Sequence, residues 1–129
     1  MPDQKQAFEI ALGEDNVLRA RFLHDPDITT LRQLLEAVQA YGNPPRRLLD
    51  CRGITLDFNL QEQDEISTVI RSQPIYGHRT AFLVDNVMSF ARLRQFMSYR
   101  EDKEIERQVF RDEVDALNWL LDTESDSRE

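Results

Sequence analysis

Cysteine occurs once among 129 residues, at Cys51, and glycine four times. A single thiol excludes an internal disulfide and a Cys-rich metal knuckle. Gly13, Gly42, Gly53 and Gly77 are too dispersed for a Gly-x-Gly-x-x-Gly turn or a Walker phosphate loop, and no Ser nucleophile elbow is present. No apolar run approaches the ~20 residues of a membrane span, and the polar MPDQKQ start is unlike a signal peptide, so the expected location is cytoplasmic. Cations are in deficit: 16 Lys and Arg against 24 Asp and Glu leave a net charge of -8, which disfavours nucleic acid as a partner. What remains is 40% hydrophobic and 31% charged, the balance of one globular domain.

The hydrophobic pattern changes period along the chain. Phe8, Ile10 and Leu12 alternate, and after GEDN so do Leu18, Ala20 and Phe22, with Arg19 and Arg21 pointing away. Alternation on both sides of a Gly-containing loop predicts a hairpin. Leu31, Leu34, Leu35 and Val38 follow helical spacing and YGNPP must stop that helix. Leu48 and Leu49 lead a buried strand into Asp50-Cys51-Arg52-Gly53-Ile54. A second helix follows with Ile66, Val69 and Ile70 inward and Glu62, Asp64 and Glu65 in its first turn. Thr80 to Val84 form the next strand, and Met88 to Tyr99 a third helix. Val109 and Phe110 centre a short last strand; Val114, Leu117, Leu120 and Leu121 line a final helix beside Trp119. Strands alternating with helices imply right-handed crossovers. The expected fold is a single α/β domain over 7–122, a mostly parallel sheet of about five strands with an antiparallel N-terminal hairpin and about four covering helices. Residues 1–6 and the acidic tail 123–129 are expected to be flexible.

This order, with LLDCRGIT, TAFLVDN followed by SFARLRQF, and the ending QVFRDEVDALNWLL, resembles the SpoIIAA-like family, a branch of the STAS fold related to anti-sigma-factor antagonists. The fold also resembles lipid-binding domains of the CRAL-TRIO kind. The resemblance implies a regulatory or ligand-binding module rather than an enzyme. Antagonists carry a phosphorylatable serine in an Asp-Ser-Ser-Gly loop after the central strand. Here Asp57 falls near the motif's Asp, but Phe58 and Asn59 stand where the hydroxyls should be, so a serine switch is not expected.

Ligands of parallel sheets gather beyond the carboxyl ends of the strands. His24, Asp25, Asp27, Asp50, Cys51, Asp57, Asp85, Asn86 and Asp112 fall there. These carboxylates could hold a cation or move a proton, but Asp27, Thr29, Asp57, Asn59, Asp85, Asn86 and Asp112 are equally N-cap types. Cap duty is the favoured reading; no metal, cofactor or catalytic residue is expected. Cys51 reads as packing, with His78 at the opposite sheet edge and only His24 or Arg52 able to activate it. Arg46, Arg47, Arg71, Arg79, Arg100 and Lys103 collect at the other edge, as an anion site or as complements of helix C-termini, the favoured reading. The third helix carries more apolar residues than one sheet-facing stripe requires. Met88, Phe90, Phe96, Met97 and Tyr99, with Asp50, Arg52 and Asp57 of the neighbouring loop, are therefore the expected surface for a protein partner or a second copy. A small apolar ligand between sheet and helices is the alternative.

Overall fold

The order of elements is β1 (Phe8–Leu12), β2 (Val17–Phe22), α1 (Ile28–Ala40), β3 (Arg46–Asp50), α2 (Leu60–Arg71), β4 (His78–Leu83), α3 (Val87–Tyr99), β5 (Ile105–Phe110) and α4 (Glu113–Leu120). These come from a computed structural model that describes residues 7–55, 58–71, 78–99 and 105–122. The two terminal segments expected to be flexible lie outside the described residues. The strands form one sheet in the order β1-β2-β3-β4-β5, with β1 antiparallel to β2 and the others parallel. This is a single α/β domain, as the periodicity predicts.

The hairpin closes as the alternation requires, with Phe8 opposite Phe22, Ile10 opposite Ala20 and Leu12 opposite Leu18. Its loop is tied by Asp15, whose carboxylate accepts the Val17 N–H (3.1 Å) and pairs with both terminal nitrogens of Arg19 (3.0 Å each). A Cβ at Gly13 would meet that guanidinium and carboxylate, so a side chain there would push the clamp aside. Hydrogen bonds from Arg19 and Val17 hold the Asp15 carboxyl at about 2.

Three successive crossovers step the same way across the sheet, and right-handed connections then place their helices on one face. Leu18, Ala20, Phe22 and Val109 on that face pack with Leu34 and Val38 of α1 and Leu93 of α3, flanked by Phe82 and Phe90. Alongside α1 lies α2, joined by Arg32 to Glu65 at 2.8 Å. The opposite face, carrying Val17, Leu48, Ala81 and Leu83, is covered by Ala116 and Leu120 of α4.

An eight-residue helix is too short to persist alone, so α4 needs fastening. Arg79 supplies it. Its side chain, only 3% exposed, donates from Nε to Glu106 at 2.7 Å and from Nη1 to the carbonyls of Trp119 (2.9 Å) and Asp122 (3.1 Å). The guanidinium carbon lies 5.4 Å from the Trp119 ring centroid, and that ring meets Phe110 at 5.7 Å. Those carbonyls, at and just beyond the end of α4, thereby gain a cationic donor from the sheet.

Four expectations change. β4 begins at His78 rather than Thr80, continued by register with Ile105, and β5 has six residues rather than a short core at Val109 and Phe110. α2 begins at Leu60, so only Glu62 occupies its first turn; Asp64 and Glu65 fall in the second. On α4 Leu117 and Leu120 pack inward as expected and Ala116 joins them, while Val114 and Leu121 are exposed, because Arg79 and the Trp119 contact set the helix's rotation. The Val69 and Ile70 side chains lie outside the described residues.

Two outcomes follow from these contacts. Arg79→Ala should lower unfolding stability by about 2 kcal/mol in urea titration, because it strips two part-buried carbonyls of a charged donor and removes a buried side chain from between β4 and α4. The depressed Asp15 carboxyl contributes stability that is full above its unfolded value of 3.8 and is lost as pH falls through about 2. Asp15→Asn should therefore flatten the acid limb of a thermal-midpoint profile in that window while changing little at pH 7 beyond the loss of one exposed ion pair.

Candidate functional site

β2 to β5 end at Phe22, Asp50, Leu83 and Phe110, and each leads into a helix along one edge of the sheet. A helix start leaves backbone N–H groups unpaired, so polar residues are drawn to this edge irrespective of function. Asp27 accepts from Thr30 N–H at 2.8 Å, Asn86 from Ser89 N–H at 2.8 Å and Asp112 from Asp115 N–H at 3.1 Å. Asn59 accepts from Glu62 N–H (2.8 Å), while the Glu62 side chain accepts from Asn59 N–H (3.0 Å), a reciprocal capping box. So Asn59, where the resemblance would place a phosphorylatable hydroxyl, opens α2 as its cap. The expected caps at Asp27, Asn59, Asn86 and Asp112 are in place. Thr29 instead lies inside α1, and Asp57 lies outside the described residues.

Asp25 and Asp85 do something else. The segment from Cys51 to Thr55 is cross-braced by three neighbours: Cys51 N–H to the Leu83 carbonyl (2.8 Å), Gly53 N–H to Asp85 Oδ2 (3.0 Å) and Thr55 N–H to Asp25 Oδ1 (2.7 Å). A φ of +80° at Gly53 makes the turn that presents its N–H to Asp85. Asp50 accepts from Arg52 through its backbone N–H (3.1 Å), Nε (3.0 Å) and Nη2 (2.8 Å), and Arg52 reaches on to Glu113 of α4 at 3.5 Å. Burial pushes the Asp50 carboxyl up, but the Arg52 hydrogen bonds together with the Arg52 and Arg21 charges outweigh it and leave it below its ordinary value. The carboxylates predicted at this edge are thus engaged by backbone amides and a guanidinium. Among the described residues no group of three or more His, Cys, Asp or Glu could hold a metal ion.

Cys51 is 2% exposed, within the core of the α1–α3 face. Burial, assisted by the Asp50 charge, pushes its thiol up to about 12, the opposite of an activated nucleophile. His78 stands at the far end of β4, five residues before Leu83, whose carbonyl receives the Cys51 N–H. His24 is exposed, with Nδ1 3.4 Å from the Asp25 carbonyl.

The basic residues of the other edge are partly interior. Arg79 serves α4 as described, and Arg47 is buried, its guanidinium pushed down to about 10 by burial and by Arg107. Arg46 is half-buried. The Arg71 side chain and all of Arg100 and Lys103 lie outside the described residues.

On α3 the wide apolar set divides. Leu93 and Phe90 turn to the core, with the Arg94 guanidinium 5.6 Å from the Phe90 ring centroid. Met88 is 67% exposed and Val87 65%. The side chains of Phe96, Met97 and Tyr99 lie outside the described residues. Sequence reasoning did not place Val87, Leu60, Val114 and Leu23 in the site; all are exposed, Leu23, Val87 and Val114 soon after a strand's carboxyl end and Leu60 at the first position of α2. The available signal was position: Leu60, Val87 and Val114 sit in first helical turns, where spacing alone does not separate core from rim. The site is therefore an apolar rim interleaved with the braced carboxylates of Asp25, Asp50 and Asp85. With Cys51 sealed beneath it, a thiol reagent at pH 8 should label the native chain only at the slow rate of local unfolding, and within the mixing time in denaturant.

No family model and no curated protein matches the sequence. Among solved structures, an uncharacterised DUF3478 family protein with a SpoIIAA-like fold from Shewanella loihica PV-4 superposes with a TM-score of 0.65 at 15% identity, over 93% of this chain and 98% of that one. The chain has the SpoIIAA-like fold.

Proposed function

We propose that the protein is a noncatalytic STAS-like interaction module that binds a protein partner at the edge formed by the Cys51–Thr55 segment and the start of α3. The observation that carries this reading is the exposure of Met88 and Val87 directly after the Asp85 that braces Gly53. Exposed apolar side chains on a fixed backbone lose little freedom on docking, and Met adapts its shape to a partner. Met88 with Asp50 and Arg52 forms the contact surface, with Phe90 packed on the core beneath it; of the other expected members, Asp57 and the side chains of Phe96, Met97 and Tyr99 lie outside the described residues. Acidic groups at this rim favour a partner that brings cations around an apolar centre. Fold likeness alone would not carry the reading, because one fold hosts many activities. Two features favour binding over bond chemistry: the thiol is sealed and raised, and Asp25, Asp50 and Asp85 already serve as acceptors for the chain's own donors.

The test is affinity capture with the native chain beside Met88→Asp, whose side chain is exposed and whose replacement should leave the thermal midpoint nearly unchanged. A partner retained by the native chain should be lost, or weakened roughly tenfold or more, by Met88→Asp, the scale of an interface anchor. Equal retention by both chains would sink the reading. So would a copurified acyl-chain mass in native mass spectrometry with no protein captured, which would favour an apolar-ligand carrier instead.

A further inference from the structure

Among the described residues, β1 ends the sheet with nothing hydrogen-bonded to its outer side. The bonds that close the hairpin at its two ends fix which groups face outward. Gly13 N–H donates to the Val17 carbonyl (3.0 Å) and Leu23 N–H to the Ala7 carbonyl (3.0 Å). In an antiparallel ladder the bonded pairs alternate, so Ala7, Glu9, Ala11 and Gly13 direct their amide groups to β2. Phe8, Ile10 and Leu12 then turn both N–H and C=O to the open edge.

Natural sheets guard such an edge with Lys, Pro, a bulge or an inward charge. β5, at the other end of the sheet, carries Glu106 and Arg107. β1 reads Phe-Glu-Ile-Ala-Leu, paired residue for residue with β2, and its single charge, Glu9, lies opposite Arg21. The strand is also self-complementary. Set antiparallel to itself about a two-fold axis at Ile10, it places Phe8 against Leu12 of the second copy and Ile10 against Ile10. All of these residues carry outward amide groups, so three pairs can each exchange two bonds. Glu9 falls opposite Ala11, not opposite its own image, so no like charges meet directly. Phe8, Ile10 and Leu12 of both copies share the α1–α3 face, where Leu12 is 43% exposed and would gain an aromatic neighbour. The net charge of -8 opposes association at low salt and is screened at physiological ionic strength.

We infer that β1 is a dimerisation edge, joining two copies of this chain through antiparallel β1–β1 pairing centred on Ile10 into one continuous sheet. This surface is separate from the Met88 rim, since α3 packs against β5 at the other end of the sheet. The two proposals therefore fail independently.

Sedimentation of the full chain over a dilution series in 0.15 M salt tests it. The native chain and Met88→Asp should both dimerise. Ile10→Pro removes one outward N–H without touching the β1–β2 bonds, a position where an edge strand tolerates proline, and should remain monomeric with an unchanged far-UV spectrum. Facing residues of a bonded antiparallel pair lie about 5.5 Å apart at Cα, within disulfide reach. Ile10→Cys should therefore oxidise to a covalent dimer, and Glu9→Cys should not; the buried Cys51 is silent in both. A native chain that is monomeric at every concentration, or a folded Ile10→Pro chain that still dimerises, overturns the inference. Should Ile10→Pro fail to fold, the cysteine pair decides: cross-linking that is absent from Ile10→Cys, or equal in Glu9→Cys, overturns it.

Discussion

Right-handed crossover is the constraint from which the rest of this molecule follows. Strands laid down in the order β2, β3, β4, β5 without a reversal oblige three connecting helices to share one face. Among the described residues the other face is covered by the helix that follows the last strand, and α4 has eight residues for the task. Burial of Ala116 and Leu120 is too little for a helix of that length to hold itself against fraying. A buried cation resolves the conflict. Arg79 is on β4, the strand that α4 chiefly packs against, and it bonds the carbonyls at the end of α4 while its charge is met by Glu106 on β5. Replacing such a group with apolar volume would require capping those carbonyls in another way, which explains why a charge sits inside the sheet's N-terminal end.

The same topology governs the opposite edge. Every parallel strand must open a helix there, and each opening concentrates unpaired N–H groups beyond the sheet. Caps at Asp27, Asn59, Asn86 and Asp112 meet the helices' own requirement, while Asp25 and Asp85 turn aside to receive the Cys51–Thr55 segment. That division of labour joins three strand-to-helix connections into one unit. It covers Cys51, and it leaves the apolar residues of the first helical turns on an immobilised backbone. An edge dense in carboxylates can thus be structural in its polar groups and available in its apolar ones.

Much of this was legible in the residues. The hairpin register follows from strict alternation at Phe8, Ile10, Leu12 and Leu18, Ala20, Phe22, because shifting a period of two by one residue would expose the whole set. α1 was legible from Leu34 and Val38, with Asp27 before and Pro44 after. The strand ends were less so. β4 gains His78 and Arg79 only because β3 and β5 continue beside them, and ladder partners distant in sequence leave no local mark. The rotation of α4 was misread for a similar reason: Val114 and Leu121 satisfy helical spacing as well as Ala116 does, and the choice is made by Arg79 and Trp119, which local pattern cannot see. At the candidate site, residue types announced the caps at Asp27, Asn59, Asn86 and Asp112, but not that Thr29 would fall inside α1 or that Asp85 would serve a neighbouring loop instead. Arg79, read as an edge cation, proved to be an interior one.

The two ends of the sheet meet the hazard of an open strand differently, and the difference bears on what the domain presents to others. β5 carries opposite charges and is packed by α3. β1 carries one charge, Glu9, and Arg21 stands opposite it in the register on β2, so a charge of the other sign beside it weakens the protection that charge would give. A chain under pressure only to stay monomeric would be expected to place a lysine or proline at Ile10, where the outward amide lies and no internal bond would be lost. Isoleucine there instead contributes to the core cluster from its flank. The Arg19–Asp15 clamp adjoining it holds the hairpin loop, so the edge is presented as a rigid strand rather than a fraying one. Rigidity is what strand addition requires, since a fixed ladder loses less conformational freedom on pairing than a disordered one.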